Sequence, residues 1–299
     1  MMAITQEFKT KVRDALMKLR ENFDGSDGAF AVKNKINHSY FSQMKSGKID
    51  IGMADGKWIA LARELDIATC NRKWNTARTA VFNQIEEDVK YCQEHSKAMI
   101  FVDDCGIGKT YTAKYLSRTL RNCFYLDASQ SRTKIQFAKA LAKTLGIEYR
   151  GKTGTVKEDI KYFLKVVEKP LIIIDEAGDL EYTAMLDLKE FWNATEGACG
   201  WYMIGADGLR AKIEKGISNK KVGYRELFSR FSSNYSFSVP IGKTEKIAFY
   251  KSLLTDVLKA NMQDKSDLTT IVNKCIVTDN DGNIGGLRRA ESILILHSN

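Results

Sequence analysis

Apolar residues recur at helical spacing near the start of the chain. Phe8, Val12, Leu16 and Leu19 fall on one stripe and predict a first helix. The stretch FDGSDGAF interrupts it with glycines and aspartates. AVKNKI, a break at Asn37 and SYFSQMKSGK follow. A further helix, roughly Met53 to Leu65, is expected to turn Trp58, Ile59 and Leu61 inward. Ile4 to Asp66 therefore reads as a small all-α unit, and Asn71 to His95 as a long helical linker with a polar surface.

From Ala98 the pattern changes. MIFVDD, CFYLDA, LIIIDE, WYMIGA and SFSV are short, apolar, β-rich runs separated by helical patterns. Strands alternating with helices predict an α/β fold, a parallel sheet with helices on both faces. After Pro240 the pattern is helical to the end, with Ile247, Leu253, Leu254 and Val257 on one stripe. The expected divisions are 1–68, a helical front domain; 69–96, a linker and start of the core; 97–240, the α/β core; and 241–299, a helical subdomain.

Composition narrows the class. The 299 residues suffice for one large or two modest domains. A hydrophobic share of 44% with 28% charged residues is that of a soluble globular protein. The formal charge of +9 favours polyanion partners such as nucleic acid, although a merely soluble basic protein would carry the same balance. The six cysteines (70, 92, 105, 123, 199, 275) form no CxxC pair, and only three histidines accompany them, which argues against a Cys/His zinc site. They read as buried free thiols in a reducing compartment. The first residues lack a signal-peptide core, and no apolar run reaches membrane-spanning length, so a cytoplasmic protein without a membrane partner is expected.

The strand MIFVDD runs into DDCGIGKTYTAKYL. Glycines let the backbone turn so that N–H groups face phosphates, and the dipole of the following helix adds to the attraction. Here Lys109 is expected to reach the β- and γ-phosphates of ATP, and Thr110 to offer its hydroxyl to Mg²⁺. The nucleotide-binding set is Cys105, Gly106, Ile107, Gly108, Lys109, Thr110 and Tyr111. The full pattern is GxxxxGK followed by Ser or Thr, and Asp103 stands where its first glycine belongs. A side chain there leaves open whether the loop takes its usual shape.

The buried run Leu171–Ile174 ends in Asp175-Glu176. This strand is expected beside the one that feeds the loop. Asp175 would then hold Mg²⁺ through water, and Glu176 would polarise the attacking water.

GIGKT, LIIIDE, ELFSRF and GGLRRA occur in that order and at domain-scale spacing. Together they resemble the AAA+ ATPase superfamily over roughly residues 75 to 299. With a repressor-like helical domain in front, the closer likeness is to the phage Mu B-type transposition ATPases, and the ATPase subunits of other bacterial transposons look similar. The resemblance implies a P-loop core with a C-terminal helical lid and ATP-dependent assembly of a homo-oligomer, ring or filament, on double-stranded DNA. It also implies delivery of that DNA to a transposase. A neighbouring subunit would supply an arginine to the γ-phosphate. Arg230 in LFSRF matches it, with Arg225 as a second candidate. Arg288 matches the lid arginine that senses nucleotide, with Arg289 its adjacent competitor. A polar residue often ends the strand corresponding to WYMIGAD; this chain has Ala206, so either Asp207 takes over water positioning or hydrolysis is slow. Helicase-loader and operator-specific regulatory ATPases share these motifs and remain alternatives.

KNKINHSYFSQMKSGK reads as helix-turn-helix. Asn37 suits the turn, Phe41 and Met44 are expected inward, and Gly47 ends the second helix. Ser39, Tyr40, Gln43 and Lys45 then lie on or near the exposed side, where phosphates or base edges could be met; a protein-contact bundle gives the same pattern. In the core, Arg132, Lys134, Arg150 and Lys152 are candidate contacts to a DNA backbone.

Overall fold

A computed structural model describes residues 4–21, 25–65, 67, 75–276, 278 and 284–297. The chain divides into two compact units, Met1–Trp74 and Asn75–Asn299.

Among its described residues, the first unit packs four helices, α1 (Gln6–Glu21), α2 (Asp27–Lys33), α3 (His38–Lys45) and α4 (Asp55–Glu64). Phe8, Val12 and Leu16 of α1 meet Phe30, Ile36, Phe41, Met44 and Trp58 in one core. Two expected core residues lie outside it. Leu19 is half exposed, because the buried part of its stripe ends at Leu16. Ile59 is also half exposed: the inward set is Trp58, Leu61 and Ala62, spaced i, i+3, i+4, and Ile59 falls off that face. The side chain of Asn37 accepts the Ser39 N–H and caps α3. Gly47, beyond the end of α3, takes φ +89°.

The second unit begins with α5 (Ala80–His95), whose first turn is capped by the Thr79 hydroxyl. The helix is shorter than the predicted linker; residues 75–79 are not helical, and 71–74 lie outside the described residues. Then follow β1 (Ala98–Val102), α6 (Lys109–Thr119), β2 (Cys123–Asp127), α7 (Lys134–Leu145), α8 (Thr153–Val166) and β3 (Leu171–Asp175). The chain continues through α9 (Tyr182–Ala194), β4 (Gly200–Gly205), α10 (Asp207–Ser218), α11 (Tyr224–Arg230) and β5 (Tyr235–Ser236). Three last helices are α12 (Lys243–Asn261), α13 (Leu268–Cys275) and α14 (Gly286–His297).

The five strands form one parallel sheet in the order β2-β3-β4-β1-β5. Every residue of β3 and β4 is buried, as continuous apolar runs require when helices cover both faces. Alternation divides them. Ile100, Ile172, Ile174, Trp201 and Met203 face the core under α7–α11; Phe101, Leu171, Ile173, Tyr202 and Ile204 face α5, α6 and α12. Gly200 permits the close approach of α5, since a Cβ there would meet the Cys92 carbonyl oxygen at 2.5 Å.

The sheet departs from two expectations. β3 does not lie beside β1, because β4 is inserted between them, pairing with both. The predicted strand SFSV also fails to extend past Ser236. Beyond it, Ser238 and Val239 turn their N–H groups to the carboxylate of Asp103 instead of a strand neighbour.

The last three helices have their own small core of Leu254, Leu258, Ile271, Val272, Cys275 and Ala290. Among the described residues, no helix is long and apolar enough to cross a membrane.

Candidate functional site

All strands are parallel, so the segments leaving β1 and β3 emerge at the same edge of the sheet. With β4 between them, the two exits are separated by about two strand spacings, roughly 10 Å. That width leaves room for a polyphosphate, and a crevice outside the carboxyl ends of strands is where such sheets bind ligands.

The segment after β1 wraps tightly. Gly106 and Gly108 take φ +74° and +99°, a region open to glycine at little cost. Gly108 is the residue before α6, and no side chain caps the helix start. The first N–H groups of α6 therefore have no capping side chain, the condition in which a helix start can receive an anion. Lys109 donates from Nζ to the carbonyl oxygens of Asp103 at 2.7 Å and Asp104 at 2.6 Å, which keeps its ammonium curled over the loop. Burial lowers the Lys109 pKa, opposed by the charges of Cys105, Asp103, Glu176 and Asp175. Ile107 is buried and anchors the loop; Thr110 and Tyr111 are exposed on the first turn of α6.

Asp103 does not have a left-handed backbone, so its side chain causes no strain. Its carboxylate instead organises the loop. One oxygen accepts the Asp104 N–H at 2.8 Å, and the other accepts the N–H groups of Ser238 at 2.6 Å and Val239 at 3.0 Å. Asp104 points the other way, to Lys246 Nζ at 2.6 Å and the Tyr250 hydroxyl at 2.9 Å on α12. Cys105, between these turns, is exposed, contrary to the expectation of buried thiols; Cys92, Cys123, Cys199 and Cys275 are buried, and Cys70 lies outside the described residues.

Asp175 ends β3 almost completely buried. It accepts the Glu176 N–H at 3.0 Å on one oxygen and the Tyr125 hydroxyl at 3.0 Å on the other. Glu176 follows with φ +49°, a strained backbone for a residue with a Cβ. Its side chain reaches solvent, yet surrounding atoms and then the charge of Asp175 raise its pKa, partly offset by Lys109. The turn beyond is held by Lys212 of α10, which donates to the carbonyls of Gly178 and Leu180. Asp207 opens α10 and is exposed.

Arg230 sits at the opposite edge of the sheet. It borders a cleft of about 680 Å³ lined by His95, Lys97, Ala98, Trp192 and Asn193. Its Nε donates to Asn193 Oδ1, its Nη1 donates to the Glu226 carbonyl at 2.9 Å, and the guanidinium lies 5.4 Å from the Trp192 ring centre. Ala98 is the first residue of β1, and the phosphate loop starts at its far end. The strand alone separates them by roughly 16 Å at about 3.3 Å per residue, so Arg230 and Lys109 of one chain do not share a site. Arg225 is exposed on α11.

The start of α14 meets the loop directly. The Leu287 N–H donates to the Gly106 carbonyl at 2.7 Å. Gly286 makes this approach feasible: it takes φ +58°, and a Cβ there would lie 2.7 Å from the Gly106 oxygen. Arg288 and Arg289 follow on the exposed side of α14.

The candidate nucleic-acid contacts fare unevenly. Ser39 and Lys45 are exposed, while Tyr40 and Gln43 are half-buried. Lys45 is engaged by Asp27 at 2.6 Å. Arg132 pairs with Asp179 at 3.0 Å, and Lys134 lies 4.0 Å from Asp187; the Arg132 and Lys134 side chains both stay more than half exposed. Arg150 packs near the Tyr149 ring, and Lys152 is exposed before α8. Sequence reading missed Tyr125, Asp104, Lys246 and Tyr250. Their partners lie 50 or more positions away, and no local motif marks them.

Residues 92–213 match a protein family described as an AAA domain. The fold is likewise that of the P-loop AAA+ ATPases: a five-stranded parallel sheet flanked by helices. Among solved structures, the chain is similar to the Orc1 protein of Aeropyrum pernix in complex with DNA. The TM-score is 0.51 at 16% identity over 72% of this chain and 57% of that one, so the match spans little more than half of the Orc1 chain. A looser likeness, TM-score 0.39 at 13% identity, is to the RuvB Holliday junction branch migration motor of Thermotoga maritima, over 73% of this chain and 63% of that one. No curated protein matches the chain in sequence.

Proposed function

We propose that this chain is an ATP-dependent DNA-binding ATPase that assembles as a homo-oligomer on double-stranded DNA and presents that DNA to a transposase. The observation that carries the reading is the shared sheet edge of the phosphate loop and Asp175-Glu176, with Arg230 on the opposite edge. ATP phosphates dock on the N–H groups of Gly106 to Thr110, and Lys109 exchanges the carbonyls of Asp103 and Asp104 for phosphate oxygens. The oxygen donors Thr110 and Asp175 suit a hard cation such as Mg²⁺, which supplies charge neutralisation at the phosphates when bound. Glu176 orients the attacking water, with Asp207 as a further water-positioning candidate. Because Arg230 is remote from its own loop, it completes the site of the neighbouring subunit, and ATP binding thereby controls assembly. Arg288, beside the loop on α14, reads the bound nucleotide.

The front unit supports the DNA part of the proposal through a helix-turn-helix arrangement, α2 and α3 with the Asn37 cap between them. The transposition role rests on the sequence resemblance. Electron microscopy with ATP and random-sequence duplex tests the assembly. The proposal expects ATP-dependent oligomers on DNA that are lost in Lys109→Ala. Discrete sequence-specific dimers, indifferent to ATP, would sink it. A second reading, an initiator or helicase-loader type of ATPase, draws on the likeness to the DNA-bound Orc1 chain. Stimulation of ATP turnover by a replicative helicase, and not by an integrase-type transposase, would favour it.

A further inference from the structure

Asp175 is buried and has both oxygens engaged by its own chain. One accepts the Glu176 N–H, and the other accepts the hydroxyl of Tyr125 at 3.0 Å. The second contact follows from strand parity. β2 and β3 pair in parallel with Tyr125 opposite Ile173 and Asp127 opposite Asp175. Ile173 and Asp175 therefore share the sheet face covered by α6, and Tyr125 packs on that face too. The tyrosine is the diagonal neighbour of the aspartate, within reach of a long aromatic side chain. Its ring is half-buried, and Lys114 of α6 places its ammonium 5.3 Å from the ring centre. Tyr125 thus links the helix that follows the phosphate loop to the carboxylate across the crevice.

We infer that Tyr125 is a positioning residue that fixes the Asp175 carboxylate for metal-bound nucleotide. This deepens the ATPase reading and rests on it. A carboxylate has two oxygens with about four acceptor sites, so one hydroxyl donor sets the rotamer and leaves sites for a metal-bound water. Outer-shell partners of a metal site typically affect metal affinity about 10–100-fold. Packing alone would show instead as lost stability with unchanged metal dependence.

The test is Tyr125→Phe, which keeps the ring under Lys114 and removes only the hydroxyl. Binding of a fluorescent ATP analogue is titrated with Mg²⁺ and, separately, in EDTA, with thermal unfolding followed in parallel. The expected result is an Mg²⁺ half-saturation raised about tenfold or more, with metal-free nucleotide affinity unchanged. In the Asp175→Ala background the same substitution should add nothing, because the carboxylate that the hydroxyl orients is gone. Equal Mg²⁺ half-saturation in wild type and Tyr125→Phe would overturn the inference while leaving the ATPase reading intact. Failure of wild type itself to bind the analogue would instead remove the reading on which the inference rests.

Discussion

Lys246 places its ammonium 2.6 Å from the Asp104 carboxylate, so the first helix after the α/β core is pinned to the phosphate loop by an ion pair. Tyr250, one turn along α12, donates to the same oxygen. Both partners of the pair are partly shielded from water, and the hydroxyl bond makes the contact more than a surface salt bridge. Lys246→Met should cost about 1 kcal/mol. That is roughly a 2–4 °C fall in melting temperature for a unit of this size. The difference should shrink at high salt, where exposed charges are screened. Melting curves at two ionic strengths check this, and an unchanged midpoint at low salt would show that the pair contributes nothing.

Asp103 supplies the acceptor for two backbone N–H groups, those of Ser238 and Val239. Asp103→Gly restores the usual P-loop residue but leaves those donors without their partner. The Val239 N–H is buried, and a buried unsatisfied group costs about 1–3 kcal/mol. The substitution should therefore lower the melting temperature of the chain, not raise it. A more stable Asp103→Gly protein would mean that the carboxylate is tolerated in the loop and does not organise it.

Glu176 has a raised pKa, caused by partial burial and by the charge of Asp175. Only the ionised carboxylate polarises water, so hydrolysis should fall as pH drops through a value above the ordinary 4.5. The sign for stability is the opposite. The folded chain holds this proton more tightly than the unfolded chain, so the group favours folding below its unfolded pKa and loses that contribution as pH rises through its folded pKa. Glu176→Gln should abolish most turnover, retain ATP binding, and melt higher than wild type near neutral pH, with the gap closing in acid. Measurement of rate and melting temperature across pH 4–8 tests both; normal turnover in Glu176→Gln would hand the role to another residue.

Arg230 is held by Asn193, the Glu226 carbonyl and the Trp192 face, away from its own phosphate loop. Arg230→Ala should leave nucleotide affinity of dilute protein nearly intact and impair turnover in the DNA-bound assembly. Single-turnover rates at low and high protein concentration separate these effects. A defect of equal size in both would place Arg230 in the folding of its own chain and not across an interface.

The contiguous features of this chain were legible in its sequence. GIGKT after an apolar run and LIIIDE are local patterns, and their chemistry follows from residues adjacent in the chain. The strand runs were also found, because burial on both faces makes them continuously apolar. Strand order was not, since nothing in LIIIDE or WYMIGA states that β4 inserts between β1 and β3. The end of β5 was missed for a related reason: Asp103, 135 positions before Ser238, captures the N–H groups that a longer strand would have used. Tyr125 was invisible because it acts on Asp175 from 50 positions away. The partners of Arg132 and Lys134, Asp179 and Asp187, lie 47 and 53 positions away, so the sequence does not announce those surface pairs.

On the proposed function, Gly106 to Thr110 cradle the phosphates of ATP. Titration of the purified chain with a fluorescent ATP analogue in Mg²⁺, for wild type and Lys109→Ala, tests it most directly. Wild type should bind saturably, displaced by unlabelled ATP, and a folded Lys109→Ala protein should show no saturation over the same range. Equal binding by the two proteins would contradict it.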